Sequence, residues 1–287
     1  MLGAPTKFVI PIAEESRPRP SIAAAADGYG VLWGETEPHS DMRKLIFVKL
    51  DPAAARVGER RQVLKLPERA PWSALVSTER GFAFAFGAAS SDDPRQPFAV
   101  ALALLDPEGK LLREQPVGNW EGAAGEVALA FVRGSFVVVR EDHVLSGPAR
   151  DEIRSMRLDA DGRSLAPAQT VATVRGPIGL DELVVGRYND SDSVAYHALR
   201  MLDARTGAYG WHLVDLARPG EEEESVPDSP DLVWTPERGV VATSKSLAGF
   251  LRLASIRNRL AVKDGRGLVA WTHPETDIIQ VAPVCGL

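Results

Sequence analysis

Three of the five histidines stand beside carboxylates in polar stretches that separate short apolar runs. His39 lies near Glu35, His143 directly follows Glu141-Asp142, and His273 is followed closely by two acidic residues. Imidazole and carboxylate groups together can ligate a divalent metal or carry out acid–base chemistry. A polar rim that keeps loops hydrated has the same composition, so the sequence leaves both interpretations open.

Two tryptophans precede these polar stretches. Trp33 and Trp271 each close an apolar run just before a histidine-containing loop. Two aromatic rings at one rim could stack a sugar or a peptide side chain, whereas packing between neighbouring sheets is the alternative. The sequence contains neither a G-x-S-x-G motif nor an H-x-x-x-H spacing, so catalytic residues and metal ligands stay unassigned. The residues predicted to bind a ligand are Trp33, Glu35, His39, Arg140, Asp142, His143, Trp271 and His273.

These residues belong to a repeated unit that is clearest in residues 21–64. The unit contains four short apolar or alternating segments, which predict four strands: Ile22–Ala26, Val31–Trp33, Leu45–Leu50 and Arg61–Leu64. A glycine-containing turn joins the first two strands, because tight hairpins need the positive φ that glycine adopts easily. The long loop after the second strand carries the polar residues of interest.

Two signals repeat along the chain at the same phase. Gly28, Gly81 and Gly134 follow one another at equal spacing, each in a first-hairpin turn. A Leu-Asp pair marks the turn before the fourth strand, at Leu50-Asp51, Leu105-Asp106, Leu158-Asp159 and Leu202-Asp203. Repeats of about 40–55 residues built from short strands are typical of a β-propeller.

The expected fold is all-β, with residues 1–287 in a single six-bladed β-propeller domain. Five blades is the alternative if the fifth unit, Asp231–Ile256, which shows only three clear strands, merges with the sixth, and seven blades is a further alternative. The last unit lacks a fourth strand, and the N-terminal segment Lys7–Ala13 lacks a partner. We therefore expect Lys7–Ala13 to complete the last blade and to close the ring, which removes two sheet edges.

On these motifs the chain resembles β-propeller repeat proteins of an uncharacterised bacterial type. Their unit reads as apolar strand, DG turn, aromatic strand, long loop, strand, LD-x-x-G turn and strand. The resemblance covers nearly the whole chain and implies the fold, but it does not imply an activity.

Composition restricts the partners. The net charge is −6 and the 287 residues contain one cysteine, Cys285. An acidic chain without a basic patch argues against nucleic-acid binding, and no apolar run reaches the length of a membrane span. We expect a monomer, located outside the cytoplasm if a leader has been removed and in the cytoplasm otherwise.

The function favoured by the sequence is a non-enzymatic binding or scaffold propeller. Its loop-rich face would present the predicted residues to a protein, peptide or glycan partner. The alternative is a propeller hydrolase, lactonase or lyase with a metal at the channel mouth. No cofactor is expected, although a divalent cation such as calcium would suit the polar loops.

Overall fold

A computed structural model gives the architecture of the chain. It describes residues 6–8, 20–36, 39–53, 55–68, 70–89, 98–118, 123–144, 150–175, 182–188, 191–201, 207–219, 222–227, 232–235, 239–242, 259–263, 266–272 and 279–285. The regular elements among these residues are strands, and none of the described residues forms a helix long and apolar enough to cross a bilayer. The all-β prediction is therefore confirmed.

The described strands form antiparallel sheets that follow one another along the chain. Sheet one contains β2 (Ser21–Ala25), β3 (Gly28–Thr36), β4 (Met42–Leu50) and β5 (Arg61–Pro67). Sheet two contains β6 (Val76–Thr78), β7 (Gly81–Ala89), β8 (Phe98–Leu105) and β9 (Leu111–Pro116). Sheet three contains β10 (Ala123–Val132), β11 (Ser135–Val144), β12 (Arg150–Leu158) and β13 (Gln169–Arg175).

The second half of the chain continues the pattern. Sheet four contains β14 (Glu182–Tyr188), β15 (Ser191–Met201), β16 (Gly207–Asp215) and β17 (Glu222–Pro227). Sheet five, as far as it is described, contains β18 (Leu232–Thr235) and β19 (Gly239–Ala242). Sheet six contains β20 (Arg259–Lys263), β21 (Arg266–Thr272), β22 (Ile279–Cys285) and the N-terminal strand β1 (Thr6–Phe8).

The N-terminal strand joins the last sheet, as the sequence predicts. Thr6 pairs with Val281, and Phe8 pairs with Ile279, in antiparallel register. Residues 9–13 of the predicted strand lie outside the described residues. The first and last strands of the chain are thus hydrogen-bonded neighbours.

Apolar side chains pack between neighbouring sheets. Val31 and Trp33 of sheet one join Leu268 and Val281 of sheet six in one buried cluster. Similar clusters lie between sheets one and two, two and three, and three and four. Sheets one, two and three consequently bury both faces, which is the packing that a radial arrangement of blades provides.

The Leu-Asp turns of the first three sheets share one hydrogen-bond pattern. In each turn, one aspartate oxygen accepts the backbone N–H groups two and four residues later; the aspartates are Asp51, Asp106 and Asp159. This side-chain-to-backbone bonding explains why aspartate recurs at the position.

The fourth predicted copy of the turn, Leu202-Asp203, is wrong. The third and fourth strands of sheet four are joined by residues 216–221, after Asp215. Leu202-Asp203 falls between β15 and β16, outside the described residues.

Gly81 and Gly134, the glycines of the first hairpins of sheets two and three, differ by one residue in their position relative to the turn. Gly81 is the first residue after its turn and pairs with Thr78, whereas Gly134 lies inside the turn between Val132 and Ser135. Both have positive φ, 141° for Gly81 and 76° for Gly134, which confirms the predicted hairpin turns. The residue of sheet three equivalent to Gly81 is Ser135, so alignment on glycine misplaces the rest of sheet three by one position.

Candidate functional site

The most polar group of buried side chains lies at the end of β11 in sheet three. Along this strand, Val137 and Val139 face sheet four, whereas Phe136 and Val138 face sheet two. Because side chains alternate along a strand, Glu141 and His143 continue the face toward sheet four. Arg140 and Asp142 continue the face toward sheet two.

On the face toward sheet four, three side chains form what we call the rim centre: Glu141, His143 and Asp151. His143 pairs across the β11–β12 hairpin with Asp151. The two side chains meet with His143 Nδ1 at 2.6 Å from Asp151 Oδ1. Glu141 Oε1 lies 4.0 Å from the same nitrogen.

The rim centre combines buried carboxylates with a solvent-accessible imidazole. The side chains of Glu141 and Asp151 are 3% and 9% exposed, whereas that of His143 is 42% exposed. An ionised carboxylate can only accept a hydrogen bond, so Asp151 holds the Nδ1–H form of His143. The other ring nitrogen, Nε2, is then the basic one.

A β-bulge in the neighbouring strand fixes the Glu141 carboxylate. The pairing of β10 with β11 shifts register between Ala124 and Val127. The N–H of Glu126, within this bulge, donates to Glu141 Oε2 at 3.1 Å. A Cβ at Gly125 would lie only 2.2 Å from the same oxygen, so the carboxylate packs directly on the glycine backbone. Oε2 is held in place, and Oε1 is left on the side of His143.

The charges of the rim centre act on His143. Burial by itself lowers the pKa of His143, but the hydrogen bond to Asp151 and the nearby charges of Glu141, Asp151 and Asp142 outweigh it. The net effect is a pKa raised above the ordinary value for histidine. The imidazolium form is therefore stabilised at this position.

On the opposite face of the strand, Arg140 and Asp142 form a buried ion pair. The Arg140 side chain is 0% exposed and contacts Asp142 Oδ1. Arg154 Nη1 approaches Asp142 Oδ2 at 3.5 Å. Burial raises the pKa of Asp142 and lowers that of Arg140, although each charge partly offsets the effect on the other. Both residues were predicted to bind a ligand, and the structure places them against sheet two.

Trp33 and Glu35 occupy the equivalent positions of sheet one. Tyr29 in sheet one and Phe136 in sheet three are equivalent, because each pairs with the leucine that precedes an aspartate turn. Trp33 lies four residues after Tyr29, and Arg140 lies four residues after Phe136. Trp33 Nε1 donates to Glu35 Oε1 at 2.8 Å, and Arg60 contacts the other oxygen. The Trp33 ring is 1% exposed and packs toward sheet six, which is the packing alternative considered for it.

The remaining predicted residues are less completely described. His39 is exposed in the loop between β3 and β4, with a left-handed φ of 60°. Trp271 lies on β21 and pairs with Gln280. His273 lies outside the described residues.

Of the rim centre, His143 is among the residues predicted to bind a ligand, Glu141 is noted only as a carboxylate beside it, and sequence reasoning missed Asp151. It appears in the sequence only as the end of a long polar loop, eight residues after His143. Pairing β11 with β12 as an antiparallel hairpin would have placed it opposite His143. Strand register, rather than local composition, is the signal that identifies it.

Comparison with known proteins identifies the fold. An α-L-arabinanase from Penicillium chrysogenum has a TM-score of 0.62 at 11% identity, with 99% of this chain and 98% of that chain covered. An endo-arabinase from Bacteroides thetaiotaomicron has a TM-score of 0.53 at 13% identity, with coverages of 98% and 97%. A GH43B enzyme of a Bacteroides ovatus xyloglucan locus has a TM-score of 0.53 at 16% identity, covering 97% of this chain. The present chain spans 54% of that enzyme's length.

These structural neighbours are five-bladed β-propeller glycoside hydrolases. They confirm the β-propeller fold of the chain and do not confirm the predicted count of six blades. No protein-family model matches the sequence, and no curated protein does.

The comparison also corrects the expected function. The sequence favours a non-enzymatic binding propeller, but the structural neighbours named above are glycoside hydrolases.

Proposed function

We propose that this protein is a propeller hydrolase that cleaves glycosidic bonds, with the rim centre of Glu141, His143 and Asp151 as its catalytic centre. The observation that carries the proposal is the hydrogen bond of 2.6 Å between His143 Nδ1 and the buried Asp151 carboxylate. It leaves Nε2 of a partly exposed imidazolium in position to donate a proton. The glycan substrate class is taken from the glycoside hydrolases that share the fold.

The proposed chemistry uses His143 as a general acid. The imidazolium donates its Nε2 proton to the leaving sugar oxygen as the carbon–oxygen bond breaks, while a water molecule attacks the anomeric carbon from the opposite face. The proton lost by that water passes to solvent, from which His143 is protonated again. Asp151 orients the ring, and the negative charges of Asp151 and Glu141 stabilise the imidazolium, in agreement with the raised pKa of His143.

Arg140 and Asp142 take a supporting part in this proposal. Their buried ion pair holds the end of β11 from the face opposite the rim centre. His39, Trp271 and His273 are proposed to contribute to substrate binding around the same rim, since each follows or closes the second strand of its unit.

Hydrolysis is tested by measuring reducing-end release from arabinan, xyloglucan and sucrose. We expect the wild-type protein to cleave at least one of them, and His143→Gln to lower kcat/KM by about 100-fold or more. Asp151→Asn should act in the same direction, because it removes the carboxylate that holds the Nδ1 proton. The matched control is Glu152→Gln, since Glu152 neighbours Asp151 but bonds Arg150 on the other face of β12. A wild-type protein inactive on all three glycans, or full activity in His143→Gln, would overturn the proposal.

The finer architecture is also a proposal. We infer one ring of six blades over residues 1–287, because the described inner strands contact one another in sequence. Those contacts join β2 with β6, β6 with β10, β10 with β14, β14 with β19, β18 with β20, and β20 with β2. An experimental structure that resolves residues 228–258 tests the count, and a ring of five blades would refute it.

A further inference from the structure

We propose that the rim centre is also a divalent-cation site selective for a transition metal such as Zn²⁺ or Mn²⁺. Its three side chains offer two carboxylate oxygens and one imidazole nitrogen, and these atoms lie within 4.8 Å of one another. Two ligands with metal bonds of about 2.0–2.2 Å lie about 3.4 Å apart in a tetrahedral site, so these side chains must shift by about 1 Å to enclose one ion. This inference concerns the same residues as the proposed hydrolase, but cation binding does not depend on hydrolysis.

The ligand atoms are already directed toward one point. Glu141 Oε2 is held by the N–H of Glu126 at 3.1 Å, which leaves Oε1 facing His143 Nδ1 at 4.0 Å. Asp151 Oδ1, on the neighbouring strand β12, lies 2.6 Å from the same nitrogen. Two adjacent strands of one sheet therefore supply all three ligands, and binding an ion requires His143 Nδ1 and Asp151 Oδ1 to separate by about 0.8 Å from their hydrogen-bond distance.

The geometry also provides access for the ion. The two carboxylates are largely buried, whereas 42% of the His143 side chain is exposed. A cation can enter past the imidazole and exchange its remaining water ligands with solvent. Three protein ligands plus water is the arrangement found in metal sites that keep an open coordination position.

The donor set distinguishes among metals. Calcium and magnesium prefer oxygen ligands throughout, and an imidazole nitrogen is a poor ligand for both. Zinc and manganese accept a mixture of carboxylate and imidazole. The sequence predicts no cofactor and offers a divalent cation such as calcium only as an alternative; the donor set of the rim centre favours a transition metal instead.

Cation binding and acid–base catalysis exclude each other at this centre. The ion occupies the place of the proton that Nδ1 shares with Asp151, so binding displaces that proton to solvent. His143 is then bound at Nδ1 and no longer carries the orienting hydrogen bond. We expect the bound metal to inhibit the proposed hydrolysis.

The test is isothermal titration calorimetry of the full chain, stripped with chelator and dialysed, using ZnCl₂, MnCl₂, CaCl₂ and MgCl₂. We expect one Zn²⁺ or Mn²⁺ per chain, and weaker binding by at least tenfold for Ca²⁺ and Mg²⁺. The variants Glu141→Gln and Asp151→Asn should each weaken Zn²⁺ or Mn²⁺ binding by at least tenfold. Gln at position 141 can still accept the Glu126 N–H, and unchanged circular dichroism establishes that each variant is folded.

Glu152→Gln and Asp161→Asn serve as controls, since each removes one negative charge outside the rim centre. Equal affinity in wild type and the rim-centre variants, or no binding of either transition metal, overturns the inference. Separate assays distinguish the two proposals. Metal binding without any glycan hydrolysis supports the cation site alone, whereas hydrolysis without metal binding supports the hydrolase alone.

Discussion

Two buried carboxylates, Asp142 and Glu35, each accept a hydrogen bond from the side chain two residues earlier on the same strand. Arg140 serves Asp142 in sheet three, and Trp33 serves Glu35 in sheet one. Residues two apart share a face of a strand, so the donor reaches the carboxylate without distorting the backbone. Burying a carboxylate is costly unless it is hydrogen-bonded, and this spacing supplies the bond locally.

Replacing Trp33 tests this role. We expect Trp33→Phe to lower the free energy of unfolding by about 1–3 kcal/mol, because it removes the Nε1–H donor to Glu35 and part of a buried ring. The comparison variant is Trp72→Phe, whose ring is only partly buried against the neighbouring cluster. Chemical denaturation measures both, and an equal cost for the two variants would contradict the assigned role of Trp33.

Asp215 gives a prediction of pH dependence away from the rim centre. Burial alone raises its pKa, but hydrogen bonds from the Ala217 N–H and from Arg218 outweigh it, and the net pKa is lowered. A carboxylate with a lowered folded-state pKa stabilises the protein above its unfolded value of about 3.9. The stabilisation is lost as pH falls through the folded-state pKa.

We therefore compare wild type with Asp215→Asn across pH. At pH 7 the variant should be less stable by about 1 kcal/mol, and the difference should shrink as the pH is lowered from about 5 to 2. Urea denaturation at several pH values measures the difference. A gap that widened on acidification would show that the sign assigned to the Asp215 pKa is wrong.

At the scale of the strands, the repeated turns could be predicted from the sequence, but the register in which neighbouring strands pair could not. Asp51, Asp106 and Asp159 bond to the backbone within their own turn, so local sequence identifies them. The match between His143 and Asp151 depends on how two strands align across a loop, and composition does not fix that alignment. Leu202-Asp203 matches the turn motif in sequence, but it precedes β16, the third strand of sheet four, rather than the fourth strand.

The two hairpin glycines provide an element-scale prediction. A Cβ at Gly81 would meet the carbonyl oxygen of Leu105 at 2.2 Å, whereas a Cβ at Gly134 meets no atom within 4 Å. Gly81→Ala should therefore destabilise by roughly 2 kcal/mol or more, since backbone must move. Gly134→Asn should cost less than about 1 kcal/mol, because asparagine tolerates the left-handed region. Thermal melting of both variants measures the order, and a costlier Gly134→Asn would reverse the argument.

At the scale of the whole molecule, the propeller can be predicted from the sequence because its repeats are local and the number of strands in each unit can be counted. The missing fourth strand of the last unit and the unpartnered N-terminal segment point to one pairing, which β1 and β22 make. The activity could not be predicted in the same way, because the rim centre depends on pairing between strands and the fold serves many functions.

Closure by β1 should contribute to the stability of the whole ring. Removing residues 1–8 exposes the edge of β22 and separates the two ends of the chain, so we expect the melting temperature to fall by about 5 °C or more. Removing residues 1–5 is the matched control, since it shortens the chain but keeps the strand Thr6–Phe8. Differential scanning calorimetry compares both truncations with the full chain. Because β22 packs Val281 into the cluster shared with sheet one, the loss should affect the main cooperative transition rather than a minor local one. Identical melting of the two truncated chains would mean that β1 contributes no stability to the ring.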